Sequence, residues 1–511
     1  MPLNWRLLNL APFDIDIYSA AYMDISNIDF CLLAYQQIDP TTWAAAASVL
    51  MLSIFFKFNR FWSVRNFDLL LIISMAPFLL MVNHGMNLAN QHQSDPDAPA
   101  AIQAPDSIKE SPSTQPTSAA GTSAELSDDD PATVPGRAMQ RNGFIGLFVV
   151  GALYLIRMLV DPVLVRRPLL NPNLSLGGLI FLGVCLIALL LANIFSAKPT
   201  TDELNMVKST IRMAKRQAAD ETESLSLRKR GPGYQMLFLV AVISVFSDND
   251  QVDDIVIDQE TNYERYILVL KILAIVSQSL IVLGLILFSV YNFNSFYIGV
   301  GIASVYLMLP YTAIYTGHVE HALPAALMLW ALVCFRKPAL SGLLLGLATG
   351  ASYYPLFLLP LWLSFYWERG IRRFSICFGV SILFCVIGPM FTSISVPDYF
   401  LQLQKMFGFW QPLMEGLEGI WALGWDRVWR LPLLIAFVIL CGSFTIWPPR
   451  KDIGLLIAYS GAVMIGVQFW HGFGGGLFAA WYLPMMLLVF FRTNLAGRTA
   501  TTELRALRST K

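Results

Sequence analysis

The chain has 511 residues, of which 56% are hydrophobic and only 14% are charged, and its mean hydropathy is +0.56. Repeated apolar blocks in a chain of this composition predict a protein embedded in a membrane. Lys plus Arg and Asp plus Glu each number 35, so the charge balance excludes the basic excess typical of a nucleic-acid partner.

The N-terminal stretch is amphipathic and acidic, and we expect no cleavable signal peptide there. The first apolar run, Trp43–Phe56, is followed by Lys57, Arg60 and Arg65. Short basic loops stay on the cytoplasmic side, so this flank predicts an N-terminus outside the membrane.

Hydropathy predicts an all-α fold, a polytopic transmembrane helix bundle of about thirteen spans. The predicted spans are 42–56, 66–82, 143–160, 174–195, 266–290, 296–313, 321–335, 339–351, 354–367, 374–392, 431–447, 453–469 and 476–491. Several are short for a hydrocarbon core about 30 Å thick and need neighbouring helices or snorkelling flanks to fit.

The spans and loops divide the chain into six segments. These are an amphipathic N-terminal segment with two spans (1–90), an acidic insert (91–137), two further spans (138–195), an extracytoplasmic loop (196–265), a C-terminal bundle (266–492) and a cytoplasmic tail (493–511). The insert is rich in Ser, Ala, Pro, Asp and Thr, and we expect it to be disordered. The long loop carries an amphipathic segment, Leu204–Ala219, and is the expected place for chemistry.

The apolar patch Tyr234–Phe246 decides which loops share a side of the membrane. With thirteen residues it is short for a spanning helix. If it does not span, the short basic loops all lie on the cytoplasmic side together with the C-terminus. We therefore expect the patch to be interfacial or packed under the loop, with 196–265 outside.

The long loop opens with two neighbouring carboxylates, Asp202 and Glu203, just after a predicted span ends. Sugar transfer needs a carboxylate that takes the proton from an acceptor hydroxyl, and such a base belongs where a lipid headgroup can reach it. The alternative is structural: Thr200 or Thr201 caps a helix whose dipole favours the two carboxylates in its first turn.

A compact polar cluster, Gly317-His318-Val319-Glu320-His321, forms a predicted outer turn. The two histidines are three residues apart, so on a helix they would share a face. These side chains suit a hydroxyl or phosphate ligand, whereas the four-residue spacing of a helical zinc site is absent. An ordinary polar turn is the alternative interpretation.

A second outer tip follows the Gly-rich stretch between Gly342 and Gly350, whose small-xxx-small spacing is typical of closely packed membrane helices. Tyr353 and Tyr354 stand at this tip, which we expect to join the two helices of a hairpin.

The predicted outer loop 393–430 combines tryptophans with carboxylates and arginines, Arg427 among them. Aromatic residues there usually form an interfacial belt, and the functional alternative is sugar stacking on tryptophan faces. Lys271 lies one turn inside its span and can snorkel outward.

The order of these features resembles the GT-C class of polytopic glycosyltransferases, which includes protein O-mannosyltransferases, lipid A aminoarabinose transferases and polyprenol-phosphate-mannose-dependent transferases. In that class a membrane helix leads into a long outer loop that opens with an acidic residue and continues with amphipathic helices, as at Asp202, Glu203 and Leu204–Ala219. A short polar outer turn, similar to Gly317–His321, and a Gly-rich helix come next. The resemblance covers roughly residues 174–491 and is one of pattern.

The resemblance implies an inverting transfer, in which an acceptor hydroxyl attacks a sugar on a polyprenyl phosphate at the outer face of the lipid bilayer. Asp202 would be the base, and Glu203 would orient it or bind the acceptor. Glu320, with His318 or His321, would bind the sugar or the acceptor. No cofactor and no nucleic acid are implied.

One position departs from the pattern. Many members of the class place a Lys at the outer tip of the Gly-rich hairpin, where it contacts the phosphate of the lipid carrier, whereas Tyr353 and Tyr354 stand there in this chain. Another cation would then stabilise the leaving phosphate: Lys271, Arg265 or Arg427. Lipid phosphate is a good leaving group, so the implied reaction requires no metal.

Two other functions stay open from the sequence. A transporter or flippase is disfavoured, because few charged residues lie deep in the spans and no internal duplication is visible. A non-catalytic protein that kept the architecture but lost the donor site is favoured by the absent Lys.

Overall fold

The computed structural model describes residues 38–94, 136–164, 170–197, 259–392 and 417–493, with scattered positions at 203, 205, 207, 233–234, 236–238, 240, 395–397, 399–400, 403, 495 and 499–500. Within these residues all regular structure is helical, apart from an isolated antiparallel bridge between Asp452 and Thr499. The predicted all-α class is thus confirmed for the described chain. Most of the insert 91–137 lies outside the described residues.

Fifteen α-helices make up the described part of the protein. They are α1 (Pro40–Phe55), α2 (Val64–Ile73), α3 (Met75–Ser94), α4 (Arg137–Val160), α5 (Leu176–Ser196), α6 (Gln259–Phe293), α7 (Phe296–Met308), α8 (Pro310–Tyr315), α9 (Val319–Val333), α10 (Pro338–Ala351), α11 (Leu359–Tyr366), α12 (Ile371–Thr392), α13 (Arg430–Ile446), α14 (Ile453–Trp470) and α15 (Leu483–Phe491). Short 3-10 turns at Tyr354–Leu358, Arg427–Trp429 and Ala479–Trp481 lead into α11, α13 and α15.

Seven described stretches are long and apolar enough to cross a bilayer. They are Val64–Ala89, Arg137–Val163, Leu176–Ser196, Tyr266–Phe293, Ile371–Gly388, Arg427–Ile446 and Ile453–Trp470. Five shorter apolar helices of 10–17 residues accompany them. This set of helices fits a multi-pass membrane protein, and the figure of about thirteen spans stays a prediction.

Two of the predicted spans are interrupted in the structure. The stretch 296–313 divides into α7 and α8 at Pro310, because proline has no N–H to donate to the preceding turn. The stretch 476–491 forms a 3-10 turn at Ala479–Trp481 and then the nine-residue helix α15, and Gly476 at its start has a positive φ angle of 94°. Both interruptions leave irregular backbone beside the polar residues described below.

The Gly-rich helix α10 packs its small residues closely against α12. A methyl group at Gly346 would lie 2.6 Å from Ser381 Cβ and 2.8 Å from the carbonyl oxygen of Phe378. The glycines therefore serve close helix packing, and their partner is α12 rather than the returning helix α11. This contact fixes the end of α10 that carries the two tyrosines.

A chain of buried charges joins three parts of the fold. Arg157 donates to both carboxylate oxygens of Asp68 at 2.7 and 2.9 Å and contacts Asp161 at 3.2 Å. Arg492, just after α15, also pairs with Asp161. Removing one member of such a buried network typically costs about 3–5 kcal/mol, because its partner is left charged and unpaired. The network therefore holds α2, α4 and the end of α15 in register.

One end of the bundle, which we call the site end, brings together the end of α5, the turn between α8 and α9, and the turn before α15. Lys271 donates to the carbonyl oxygen of Phe195 at 2.7 Å. The indole N–H of Trp481 donates to the carbonyl oxygen of Glu320 at 3.4 Å. These contacts place loops that are distant in sequence on one surface.

The described part of the long loop packs on this same end. Tyr234 and Phe238 are 4% and 1% exposed and form a small apolar cluster with residues of α6 and α9. The backbone N–H of Gly233 donates to the carbonyl oxygen of Gly350 at 2.7 Å, at the end of α10. Tyr234 and Phe238 of the predicted patch 234–246 are thus packed against the bundle, whereas Val240 is exposed.

Candidate active site

The turn between α8 and α9 carries the first polar cluster. The backbone N–H of His318 donates to the carbonyl oxygen of Tyr315 at 3.2 Å, which closes the turn, and α9 begins at the next residue. His318 Nδ1 lies 3.4 Å from Glu203 Oε1, and both side chains are partly exposed. The turn therefore presents an imidazole to a carboxylate that comes from the long loop.

His321 lies one turn further along α9 and is buried. Its Nδ1 lies 2.6 Å from the hydroxyl of Tyr311, and its Nε2 lies 3.8 Å from Glu320 Oε1. The ring also stacks on Tyr315 and Phe478, with centroid distances of 4.8 and 4.4 Å. These contacts fix the imidazole, which in turn lies beside the partly exposed Glu320 carboxylate.

The tip after α10 carries a second cluster. The Tyr353 hydroxyl donates to the Tyr354 hydroxyl at 2.8 Å. Burial raises the pKa of Tyr353, so its hydroxyl stays protonated and can donate. The positive charge of Arg430, at the start of α13, interacts with both tyrosines, and its Nε donates to the carbonyl oxygen of Trp470 at 3.1 Å.

His471 lies in the turn after α14 and is fully buried against this second cluster, with its ring 4.5 Å from that of Tyr354. Burial, together with the charge of Arg430, lowers the pKa of His471 to about 3, so the ring is neutral at physiological pH. Its Nδ1 accepts the backbone N–H of Phe473 at 3.1 Å, which assigns the ring proton to Nε2. Among the described residues this buried Nε2–H contacts no acceptor.

Two aromatic residues join the clusters into one site. Phe478 contacts His321 on one side and His471 on the other, with centroid distances of 4.4 and 4.6 Å. Trp481 bonds to the backbone of Glu320, and its ring lies 5.3 Å from Tyr354. A half rich in carboxylate and imidazole groups thus adjoins a half with tyrosine and arginine side chains.

The remaining predicted site residues occupy different positions. Asp202 lies outside the described residues, as does the side chain of Arg265, whose backbone belongs to α6. Lys271 binds the end of α5 and interacts electrostatically with Glu203, so it lies near the first cluster. Arg427 is exposed in its 3-10 turn.

The sequence interpretation missed Arg430 and His471. Arg427 and Arg430 lie three residues apart, so the choice between them depends on how the 3-10 turn continues into α13. His471 follows Trp470 between the predicted spans 453–469 and 476–491 and is one of only five histidines in the chain. Three of those five, the others being His318 and His321, lie in this site. That clustering is the signal from which His471 could have been found.

Chemically, the site combines carboxylates, a neutral imidazole donor, tyrosine hydroxyls and a partly buried guanidinium. The carboxylates suit hydroxyl binding and proton abstraction, and the guanidinium with its neighbouring donors suits an anionic oxygen. Searches with the whole chain found no matching family model, no matching curated protein and no matching solved structure.

Proposed function

We propose that this protein is an integral membrane glycosyltransferase-like enzyme that moves a sugar from a polyprenyl-phosphate carrier to an acceptor hydroxyl at the outer membrane face. The observation that carries the proposal is the contact of Glu203 with His318 beside Glu320 and His321. The contact supports the proposal because it gathers acid–base groups at one end of the helix bundle, where a substrate anchored in the bilayer would meet them.

In the proposed reaction, the acceptor oxygen attacks the anomeric carbon, and the bond from that carbon to the phosphate oxygen breaks. Asp202 takes the acceptor proton, and the polyprenyl phosphate leaves with the bonding electron pair. Glu203, held by His318, orients the base or the acceptor. Glu320 and His321 bind hydroxyls of the sugar or the acceptor.

The leaving phosphate needs positive charge, because negative charge develops on its oxygens as the sugar departs. Arg430 supports this role, since it interacts with Tyr353 and Tyr354 at the tip where many GT-C enzymes carry a Lys. Lys271 supplies a second cation near Glu203.

The proposed orientation places the N-terminus and the long loop outside and the C-terminus in the cytoplasm. Short basic loops support it, since residues 57–65, 336–337, 369–373 and 450–451 would all be cytoplasmic. The orientation puts the site end on the outer face.

Turnover of a defined donor tests the function. The purified protein in lipid nanodiscs is given synthetic polyprenyl-phosphate mannose and a panel of methyl glycosides and threonine peptides, and release of polyprenyl phosphate is measured. The wild type and an exposed-carboxylate control, Glu368→Gln, should release it, and Asp202→Asn should not. Equal release by Asp202→Asn would remove that residue from the mechanism.

The tyrosines at the tip favour one second candidate, a non-catalytic protein of the same architecture. Such a protein would have lost the donor site and would not bind the lipid-linked sugar. Absence of saturable binding of polyprenyl-phosphate mannose by the purified protein would support this candidate over the enzyme.

A further inference from the structure

The loop between α1 and α2 exposes large aromatic side chains. Phe58, Phe61 and Trp62 are 77%, 55% and 81% exposed, and Phe67, near the start of α2, is 50% exposed. The ring centroid of Trp62 lies 5.5 Å from that of Phe61 and 5.9 Å from that of Phe67, and the buried Phe56 contacts Phe58 and Phe61 at 5.0 and 5.5 Å. The four exposed rings thus form one continuous surface, which we call the aromatic patch. Exposed apolar surfaces of this kind mark a site of interaction.

The backbone of this loop is held from the inside of the protein. The fully buried side chain of Asn66 donates to the carbonyl oxygens of Lys57 and Phe61 at 3.0 and 3.2 Å, and it accepts the backbone N–H of Lys57 at 3.2 Å. Asn173 donates to the carbonyl oxygen of Phe56 at 3.1 Å. Peptide groups that are already bonded lose little when they leave water, whereas unbonded ones are costly in lipid. These two asparagines therefore suit the loop to a less polar environment.

The aromatic patch continues along an exposed apolar face of α2. Val64, Phe67 and Leu70 follow one another at intervals of three residues, so they share a helix face, and they are 40%, 50% and 40% exposed. They belong to the first turns of the stretch Val64–Ala89, which is long and apolar enough to cross a bilayer. The patch therefore lies at the end of a candidate span, and tryptophans such as Trp62 are enriched where spans meet the headgroups of a bilayer.

The charge of the loop is complementary to phospholipid headgroups. Residues 56–67 include Lys57, Arg60 and Arg65 and no carboxylate. Arg65 is buried and donates to the carbonyl oxygen of Phe55 at 2.7 Å, whereas Lys57 is exposed beside the aromatic patch. Exposed aromatic rings next to a cation suit a surface that combines acyl chains with anionic phosphates.

We propose that the aromatic patch inserts into the headgroup region of the bilayer and that Lys57 pairs there with anionic lipid phosphates. The rings of Phe58, Phe61 and Trp62 then contact lipid instead of water, and the indole N–H of Trp62 stays among polar headgroups. The insertion anchors α1 and α2, which precede the part of the chain that resembles the GT-C class. It is independent of the proposed sugar transfer and of the orientation of the chain, because headgroups border both faces of a bilayer.

Fluorine NMR of the full-length protein in nanodiscs tests the insertion. The chain is labelled with 5-fluorotryptophan. Trp62→Phe assigns the resonance of residue 62, and Trp362→Phe assigns that of residue 362, which is 1% exposed and serves as the internal reference. Contact with lipid is measured as line broadening by phosphatidylcholine that carries a nitroxide on its acyl chain near the glycerol. Contact with water is measured as the shift of the resonance between H₂O and D₂O.

We expect the lipid nitroxide to broaden the Trp62 resonance far more than the Trp362 resonance, and we expect no solvent isotope shift at Trp62. A clear isotope shift would show that the loop lies in water and would overturn the proposal. Broadening no stronger than that of Trp362, without an isotope shift, would also overturn it, because the patch would then be covered by protein.

The pairing of Lys57 with anionic lipid has its own readout. Replacing part of the phosphatidylcholine by phosphatidylglycerol should shift the Trp62 resonance of the wild type. The shift should be lost in Lys57→Gln and kept in the matched control Lys337→Gln, which changes an exposed lysine in the turn before α10. Equal shifts in the two variants would overturn the pairing.

Discussion

The imidazole of His318 lies 3.4 Å from the carboxylate of Glu203, although a long loop and several helices separate the two residues in the chain. The contact joins the start of that loop to the turn before α9. It brings the carboxylate to the edge of a buried aromatic cluster, where a neighbouring base could be held in a fixed position.

Replacing Glu203 by Gln should slow transfer from polyprenyl-phosphate mannose about a hundredfold, because the charge that orients the base or the acceptor is removed. Gln keeps the side-chain length, so thermal stability in detergent should change little. His318→Asn should have a similar effect on rate. The double variant should be no slower than either single variant if the two residues act as a unit. Additive losses in the double variant would contradict the pairing, and Glu368→Gln is the control.

Arg430→Met should weaken binding of polyprenyl phosphate at least about tenfold, because the cation at the tyrosine tip is lost. Arg430→Lys should recover part of this loss, since it restores the charge without the planar fork. Arg427→Met separates the two arginines: the structure favours Arg430, so the Arg427 variant should bind nearly normally. If Arg427→Met binds polyprenyl phosphate more weakly than Arg430→Met in a nanodisc assay, Arg427 is the cation that binds the phosphate.

His471 should make the protein less stable in acid. Its native pKa of about 3 lies below its ordinary value of 6.5, so between these values the unfolded chain binds a proton that the folded chain does not. The contribution of His471 to the free energy of unfolding is therefore fully present above pH 6.5. It decreases as the pH falls from 6.5 towards 3, by up to about 1.4 kcal/mol per pH unit.

His471→Asn keeps an acceptor for the Phe473 N–H. On acidification this variant should lose less unfolding free energy than the wild type. Denaturant unfolding at pH 7.5 and pH 4.5 gives the unfolding free energy of both proteins. An equal decrease between the two pH values in wild type and variant would argue against a buried neutral His471.

Gly346→Ala and Gly379→Ala should have opposite effects, although both replace a helical glycine. A methyl group at Gly346 would press on Ser381 and the backbone of Phe378, whereas the structure has no described atom within 4 Å of one at Gly379. Gly346→Ala should lower the free energy of unfolding by at least about 1 kcal/mol, and Gly379→Ala should raise it by up to about 1 kcal/mol. Thermal unfolding in one detergent compares them, and a loss at Gly379 as large as that at Gly346 would contradict the packing.

Hydropathy predicted much of the helical architecture, because long apolar runs can satisfy their backbone groups in a membrane only as helices. The run predicted at 174–195 forms α5 over Leu176–Ser196. Interruptions were harder to predict, since the divided stretch at Pro310 and the shortened one after Gly476 depend on local backbone conformation. The apolar composition there is continuous, so hydropathy alone does not reveal the break.

Residue types pointed to Glu203, His318, Glu320 and His321 as a polar group worth attention, and the structure places them close together. The sequence could not show which arginine lies near Tyr353. Arg427 and Arg430 are three residues apart, and their relative positions depend on how the 3-10 turn continues into α13.

The decisive experiment for the proposed transfer compares polyprenyl-phosphate release by the purified wild-type protein and by Asp202→Asn in the same nanodiscs. We expect acceptor-dependent release by the wild type and none above background by the variant, with equal thermal stability of the two proteins. Failure of the wild type to bind or cleave the lipid-linked sugar, or release by the variant at the wild-type rate, would contradict it.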